Sequence, residues 1–305
     1  MATHDFEPTV FHLSIGSHEP ALHVASGDTI RTWCVDSGGY DHNGEDLTDG
    51  GNPMTGPFYV EGAERGDALA VRLARVRPNR KRGVSGTRIA PNVLDPAFVP
   101  AFGYGDQREA WWTLDLENGT ARLEDAPEGL AGLGEVRLEP MVGCFGVAPD
   151  RGQAISTATS GPHGGNMDYR GFREGVTVYF PVAVEGALFH IGDGHALQGD
   201  GEIVGTGIEV SMDVEFTLEV VKKCIGWPRA DDGTFVMAVG NARPLDQALQ
   251  HATTELVTLV HEDYGLDYAA VSTLLGQSIR YDVGNVYDPA YTIVAKVEKA
   301  LLENL

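Results

Sequence analysis

The 305 residues, 42% of them hydrophobic, suffice for one compact unit of one or two lobes with a sizeable core. A net charge of -22 argues against nucleic acid and anionic membrane surfaces as partners, and no apolar run is long enough to span a bilayer. The cysteines Cys34, Cys144 and Cys224 form no CxxC pair and MATHDFEPTVFHLS lacks a basic start and apolar core, so a reducing, cytoplasmic setting is expected.

The first two-thirds of the chain read as β structure. ALHVASGDTIRTWCV holds two short apolar runs around Ser26-Gly27-Asp28, the pattern of a hairpin turn. GPFYVEGAERGDALAVRLARV repeats that form around Glu64-Arg65-Gly66-Asp67. Residues 78 to 110, rich in Pro, Gly, Asn and Arg, read as a long loop. VTVYFPVAV, residues 176 to 184, is apolar enough for a deeply buried strand. IEVSMDVEFTLEV, residues 208 to 220, alternates strictly. Ile208, Val210, Met212, Val214, Phe216, Leu218 and Val220 take one face, and Glu209, Asp213, Glu215 and Glu219 take the wet one.

The period changes near residue 244. PLDQALQHATTELVTLVHEDYG places Leu245, Ala248, Leu249, Ala252, Leu256, Val257 and Val260 at helical spacing and stops at Gly265. DYAAVSTLLGQSI reads as a second helix with Asp267 as N-cap, and YTIVAKVEKA returns to alternation. The expected fold is mainly β, a sandwich- or barrel-like body over residues 1–243 that carries the site. A small α+β C-terminal part, residues 244–305, packs on it. Alternating strands leave edges that further copies of the chain can cover, so a homo-oligomer, dimer or higher, is expected.

Two polar, glycine-rich stretches carry candidate chemistry. FHIGDGHALQGDGE places Asp193, His195, Asp200 and Glu202 within ten positions. One imidazole and several carboxylates suit zinc, manganese or iron, and the GDGE piece also suits a calcium ion. A rim of solvated turn acids accounts for the same residues. Glu202 points inward if the strand over 208 to 220 extends back to it. SGPHGGNMDYRGFREG supplies His163, Asn166 and Asp168 beside Gly161, Gly164 and Gly165, where a small substrate can approach the backbone. An irregular turn capped by Asn166 and Asp168 is the plainer reading.

The span SGPHGGNMDYRGFREGVTVYFPVAVEGALFHIGDGHALQGDGEIVGTGIE resembles the signature region of the acetamidase/formamidase family. TGPFYVEGAERGDALAVRL, MVGCFGVAP and the run between Asp28 and Asp36 resemble further segments of that family. The resemblance implies a mostly β fold and hydrolysis of short aliphatic amides, of formamide or acetamide type, to a carboxylate and ammonia. The family's GGN-x-D element falls on Gly164, Gly165, Asn166 and Asp168. Its GD-x-H-x-x-QGDGE element falls on Asp193, His195, Gln198, Asp200 and Glu202.

On this reading a divalent ion, zinc in the first instance, is held by Asp36, Asp193 and His195, with Asp168 as a further ligand or a support. Glu202 is the general base and His163 a second candidate for acid–base work. Gly164, Gly165 and Asn166 bind the amide, and Asp200 orients His195. A different enzyme would use Cys144 as nucleophile. A β protein that binds a metal or small ligand without turnover is the remaining alternative.

Overall fold

The computed structural model describes residues 1–103 and 109–303. Two large sheets carry the fold. The nine-stranded sheet runs Thr3–Asp5, Asp28–Cys34, Met212–Val221, Ala68–Pro78, Thr177–Pro181, Arg229–Asp231, Phe235–Ala242, Tyr291–Glu298 and Arg280–Asn285. The seven-stranded sheet runs Ser160–Gly161, Gly164–Asn166, Met141–Val147, Phe189–His195 and Met54–Glu61. Both Phe11–His12 and Leu22–Ala25 lie against that last strand. Side chains from both sheets share one core: Leu73, Val178 and Phe216 from the first meet Phe58, Phe145 and Phe189 from the second. Phe58–Phe216 and Phe189–Phe216 meet edge to face at 5.5 and 5.3 Å, the arrangement that ring quadrupoles favour. The fold is therefore mainly β, a sandwich.

Both turns with hairpin character join different sheets. Leu22–Ala25 pairs in parallel with Met54–Glu61, whereas Asp28–Cys34 pairs with Met212–Val221 in the other sheet. Met54–Glu61 and Ala68–Pro78 are likewise split between the two sheets. Apolar runs that face a shared core look alike whether they pair with each other or lie opposite each other, so local sequence does not separate a hairpin from a corner. The expected loop at 78 to 110 contains Arg82–Gly86, which pairs with Glu109–Asp115 in a four-stranded sheet; residues 104–108 of that loop lie outside the described residues.

The alternating strand spans Met212–Val221, with Val214, Phe216 and Leu218 buried. The helices are Leu245–Tyr264 and Tyr268–Ser278. Gly265 ends the first in the left-handed region, and the Asp267 carboxylate accepts the Ala270 N–H at 2.8 Å. Ala248, Ala252, Leu256 and Val260 pack on Ala238, Ile293 and Ala295, while Leu245 and Leu249 stay exposed. The large sheet crosses position 243 without a break, because Phe235–Ala242 pairs with Tyr291–Glu298 along its whole length. Among the described residues no helix is long and apolar enough to cross a membrane.

Candidate active site

The strand Phe189–His195 lies between Met141–Val147 and Met54–Glu61 and ends in Gly192-Asp193-Gly194-His195. Its glycines serve close packing. A β-carbon on Gly192 would fall 2.6 Å from the Met54 side chain, and one on Gly194 would overlap Met212. The left-handed backbone belongs to the acids instead. Asp168, Asp193 and Glu202 have φ of 41, 62 and 46°, and Asn52, which donates to Asp193, has 63°. Such conformations are costly for these residues and concentrate where function holds them.

Five carboxylates and one imidazole converge here. Asp168, Asp193 and His195 form one group whose candidate ligand atoms lie within 4.8 Å of one another. His195, Glu202 and Glu209 form a second, and Asp168, Glu202 and Asp288 a third. Asp168, Asp193, His195, Glu202 and Glu209 are each no more than 5% exposed. His195 Nε2 lies 3.0 Å from Glu209 Oε1 and 3.3 Å from Asp193 Oδ1. Its Nδ1 faces Gln198 Oε1 at 2.7 Å, while Gln198 Nε2 donates to the Asp168 carbonyl at 2.6 Å. That second bond fixes the Gln198 amide, so His195 Nδ1 is the donor and Nε2 is turned to the acids.

Polar side chains tie the cluster together. Asn285 Nδ2 lies 2.7 Å from Asp168 Oδ2, 2.8 Å from Glu202 Oε2 and 2.9 Å from Asp288 Oδ2. Asn52 donates to Asp193 Oδ2 at 3.1 Å and to Asn166 Oδ1 at 2.9 Å, and Asn166 donates to Asp288 Oδ2 at 2.5 Å. Three buried acceptors of these side chains, Asp168 Oδ1, Glu209 Oε2 and Asn52 Oδ1, have no protein partner. A groove of about 1010 Å³ opens beside the cluster, with Glu209, Tyr40, Arg80, Trp111 and Tyr287 on its walls.

Burial, together with Glu202, Asp193 and Asp288, pushes the Asp168 carboxyl well above the ordinary range. Burial also raises Glu202 strongly, with Asp288, Glu209 and Asp193 adding to it and His195 opposing. Glu209 and Asp288 are raised as well, burial again being the main cause. Burial pushes Asp193 in the same direction, but His195 and the hydrogen bonds around it outweigh that and hold it low. For His195 burial favours the neutral ring; Glu209 and Asp193 overcome this and raise its pKa well above the usual value.

A folded-state pKa above the unfolded one contributes stability that is present below the unfolded value and lost as pH rises through the folded one. The four raised carboxyls and the raised His195 share this sign. Metal-free protein should therefore lose stability between pH 7 and pH 8, where the opposing contributions of His163 and His190, lowered to about 4 and about 3 by burial, are already complete, and added divalent cation should flatten the slope. Urea melts at the two pH values check this; a metal-free protein that gains stability toward pH 8 contradicts it.

The residues expected at the site separate into two sets. Asp168, Asp193, His195, Glu202 and Asn166 come together. Asp36 is buried, but Arg80 Nη2 occupies its carboxylate at 2.5 Å, and Gly38 N and Tyr40 N donate to it. It belongs to none of the three convergent groups. Asp200 pairs with Arg170 at 3.5 Å and is largely exposed, and Gln198 holds His195 in its place. His163 is buried, with its pKa lowered to about 4 by burial and its Nε2 without a partner, and it also stands outside the convergent groups. Gly164 and Gly165 are buried strand residues, and β-carbons there would strike Phe180 and the Thr159 carbonyl. Cys144 is buried beneath the cluster, its Sγ 3.7 Å from the Thr157 carbonyl. Burial raises its pKa well above the usual thiol value, the opposite of what a nucleophile requires.

Glu209, Asn285 and Asp288 were not expected at the site. Glu209 falls on the wet parity of the alternating run, yet the regular strand begins only at Met212. Bridges from Glu209 to Val84 and His195 turn its side chain inward. Glu202 does not lie on that strand at all; it sits in a turn and reaches the cluster from there. Asn285 ends the edge strand Arg280–Asn285 in the C-terminal part and Asp288 follows it, both brought in by pairing between Gly201 and Asn285. The turn Asn285-Val286-Tyr287-Asp288, in which Asn285 Oδ1 accepts from the N–H of Tyr287 and Asp288, is the local signal available for them.

Gly143 shows how tightly the cluster is built. A β-carbon there would lie 2.7 Å from Asp193 Oδ2 and closer still to Asp168 Oδ1. Gly143→Ala should displace both carboxylates and lower turnover by about 10–100-fold, with a melt that still reports folded protein. Unchanged turnover would show that the volume beside Gly143 is not needed.

Residues 146–245 match the profile of the Acetamidase/Formamidase family. A structure of a predicted acetamidase/formamidase from Thermoanaerobacter tengcongensis superposes with a TM-score of 0.83 at 29% identity, covering 100% of this chain and 98% of that one. The likeness to the acetamidase/formamidase family thus covers residues 146–245 in sequence and the whole chain in fold. An acetamidase structure from Bacillus halodurans gives the same score and identity, with 99% of each chain covered. A putative formamidase of Schizosaccharomyces pombe is 27% identical over 259 residues; the match spans 66% of this chain and 62% of that relative's length.

Proposed function

We propose that this chain hydrolyses short aliphatic carboxamides, formamide and acetamide among them, to a carboxylate and ammonia, with a divalent ion at the acid cluster. The observation that carries the reading is the buried convergence of five carboxylates with one imidazole, in which Asp168 Oδ1 and Glu209 Oε2 have no protein partner. Buried acceptors without donors are costly unless a cation or a substrate satisfies them. The family and the names of its relatives support the amide bond as target.

The donor set fits zinc or a similar ion, with oxygen ligands and one nitrogen. Asp168, Asp193 and His195 are the residues that would hold it. When bound, such an ion lowers the pKa of water and polarises a carbonyl. The chain's own residues do the rest. Gln198 orients His195, and Asn52 orients Asp193. Glu202 Oε2 is held by Asn285, which leaves Oε1 to take a proton from water as its oxygen bonds to the amide carbon. The same oxygen returns the proton to nitrogen as the C–N bond breaks, so ammonia leaves and the acid remains.

Ammonia release from formamide and acetamide, before and after treatment with a chelator, tests the reading. Activity that falls on chelation and returns with zinc supports it. No ammonia from any short amide would sink it, and loss on thiol alkylation alone would return Cys144 to consideration.

A further inference from the structure

The geometry assigns a positioning role to Asn285. Its side chain holds Asp168, Glu202 and Asp288 in the arrangement that binds the ion and moves the proton. This rests on the reading of the cluster as a hydrolytic centre. Asn285 is fully buried, and its one amide nitrogen is within 2.9 Å of an oxygen from each of the three carboxylates. Two hydrogens serve three acceptors, so the three oxygens must gather around one point. The opposite end of the amide is fixed as well: Oδ1 accepts from Tyr287 N at 2.7 Å and Asp288 N at 3.0 Å. Two donors on Oδ1 leave the amide one orientation, with NH₂ toward the acids. An inverted amide would set an oxygen against three carboxylates and leave two backbone donors unpaired.

The position also joins the two parts of the chain. Asp168 lies 117 positions away and Glu202 lies 83 away, so neither is placed relative to Asp288 by local backbone. The strand Arg280–Asn285 hangs on the sheet edge by its pairing with Tyr291–Glu298. Asn285 is where that edge reaches the cluster. Asp168 Oδ2 and Glu202 Oε2 are the oxygens it holds. Asp168 Oδ1 is therefore left free to ligate an ion, and Glu202 Oε1 to take a proton. Residues that hold ligating carboxylates are worth about 10–100-fold in metal affinity or activity.

Asn285→Asp is the decisive variant, because it preserves shape while replacing two donors by a further negative charge. Zinc affinity by chelator competition, kcat and KM for acetamide, and a thermal melt should be measured together on the full chain. The expected result is zinc affinity and kcat each lowered by about 10–100-fold, with KM changed little. Asn285→Ala should weaken zinc binding in the same direction, and guards against misfolding of the charged variant. The double variant N285D/D288N, which exchanges amide and acid between the two positions, should recover part of the lost zinc affinity. A residue that only stabilised the fold would lower the melt and leave the affinity of the folded protein alone. Wild-type zinc affinity in both single variants overturns the inference while leaving amide hydrolysis intact. A wild-type chain that binds no divalent ion overturns it too. Amide turnover by the wild type is scored separately, so the two failures are told apart.

Discussion

Replacing His195 by alanine is expected to strip the divalent ion from the purified protein and to lower amide turnover by ~100-fold or more. His195 is the one nitrogen donor among six convergent groups, and without it only carboxylates remain. Oxygen-only sites suit calcium or magnesium better than zinc. The variant also leaves Asp193 and Glu209, which both face Nε2, buried without a positive partner. Breaking a buried pair in this way costs about 3–5 kcal/mol. The fold should persist at 25 °C, because the shared aromatic core and the helix-covered sheet lie elsewhere. Elemental analysis, a urea melt and ammonia release on one preparation separate these effects. Full zinc occupancy with unchanged turnover would remove His195 from the site.

His195 was legible in the sequence for a physical reason, and Glu209 was hidden for one. His195, Asp193 and Glu202 stand in a glycine-rich polar stretch beside an apolar strand, a combination that a buried polar site produces. Glu209 stands in a run of perfect alternation, and a regular strand would have put it in water. The backbone departs from that regularity over residues 208–211, before Met212–Val221 begins, and nothing in the side-chain pattern marks the departure. Asn285 and Asp288 were hidden by distance along the chain, since only the sheet's edge pairing carries them to the site.

The fold divides along the same line. Helices and strands were readable because burial imposes a local period, and Asp267 and Gly265 marked helix ends through local backbone chemistry. Sheet membership was not readable. The turns near Gly27 and Gly66 satisfy the requirements of a hairpin, yet each carries the chain from one sheet to the other. Asp36 illustrates the limit for a site residue. Its burial is real, but a guanidinium 44 positions away takes its charge, and no pattern local to Asp36 announces Arg80.

Glu202→Gln should lower kcat by about 10²–10⁴-fold while leaving zinc content and KM close to wild type. The side chain is 5% exposed and held at Oε2 by Asn285 at 2.8 Å, a bond that the amide oxygen of glutamine can also accept. Shape and position are thus retained, and only the capacity to take up a proton is lost. Burial first, then Asp288, Glu209 and Asp193, raise the Glu202 pKa well above the ordinary carboxylate value, with His195 opposing. A carboxyl raised above its ordinary value is a stronger base toward water than an ordinary carboxylate and still gives its proton to a leaving nitrogen. As a base it must be ionised, so wild-type turnover should fall as pH drops through the Glu202 value. That limb should lie above the ~4.3 of an unperturbed glutamate. The residual activity of the variant should lack the limb. Unchanged kcat would show that another group moves the proton. Loss of zinc together with kcat would make Glu202 a ligand instead, and the pH profile of wild type would then need a different owner.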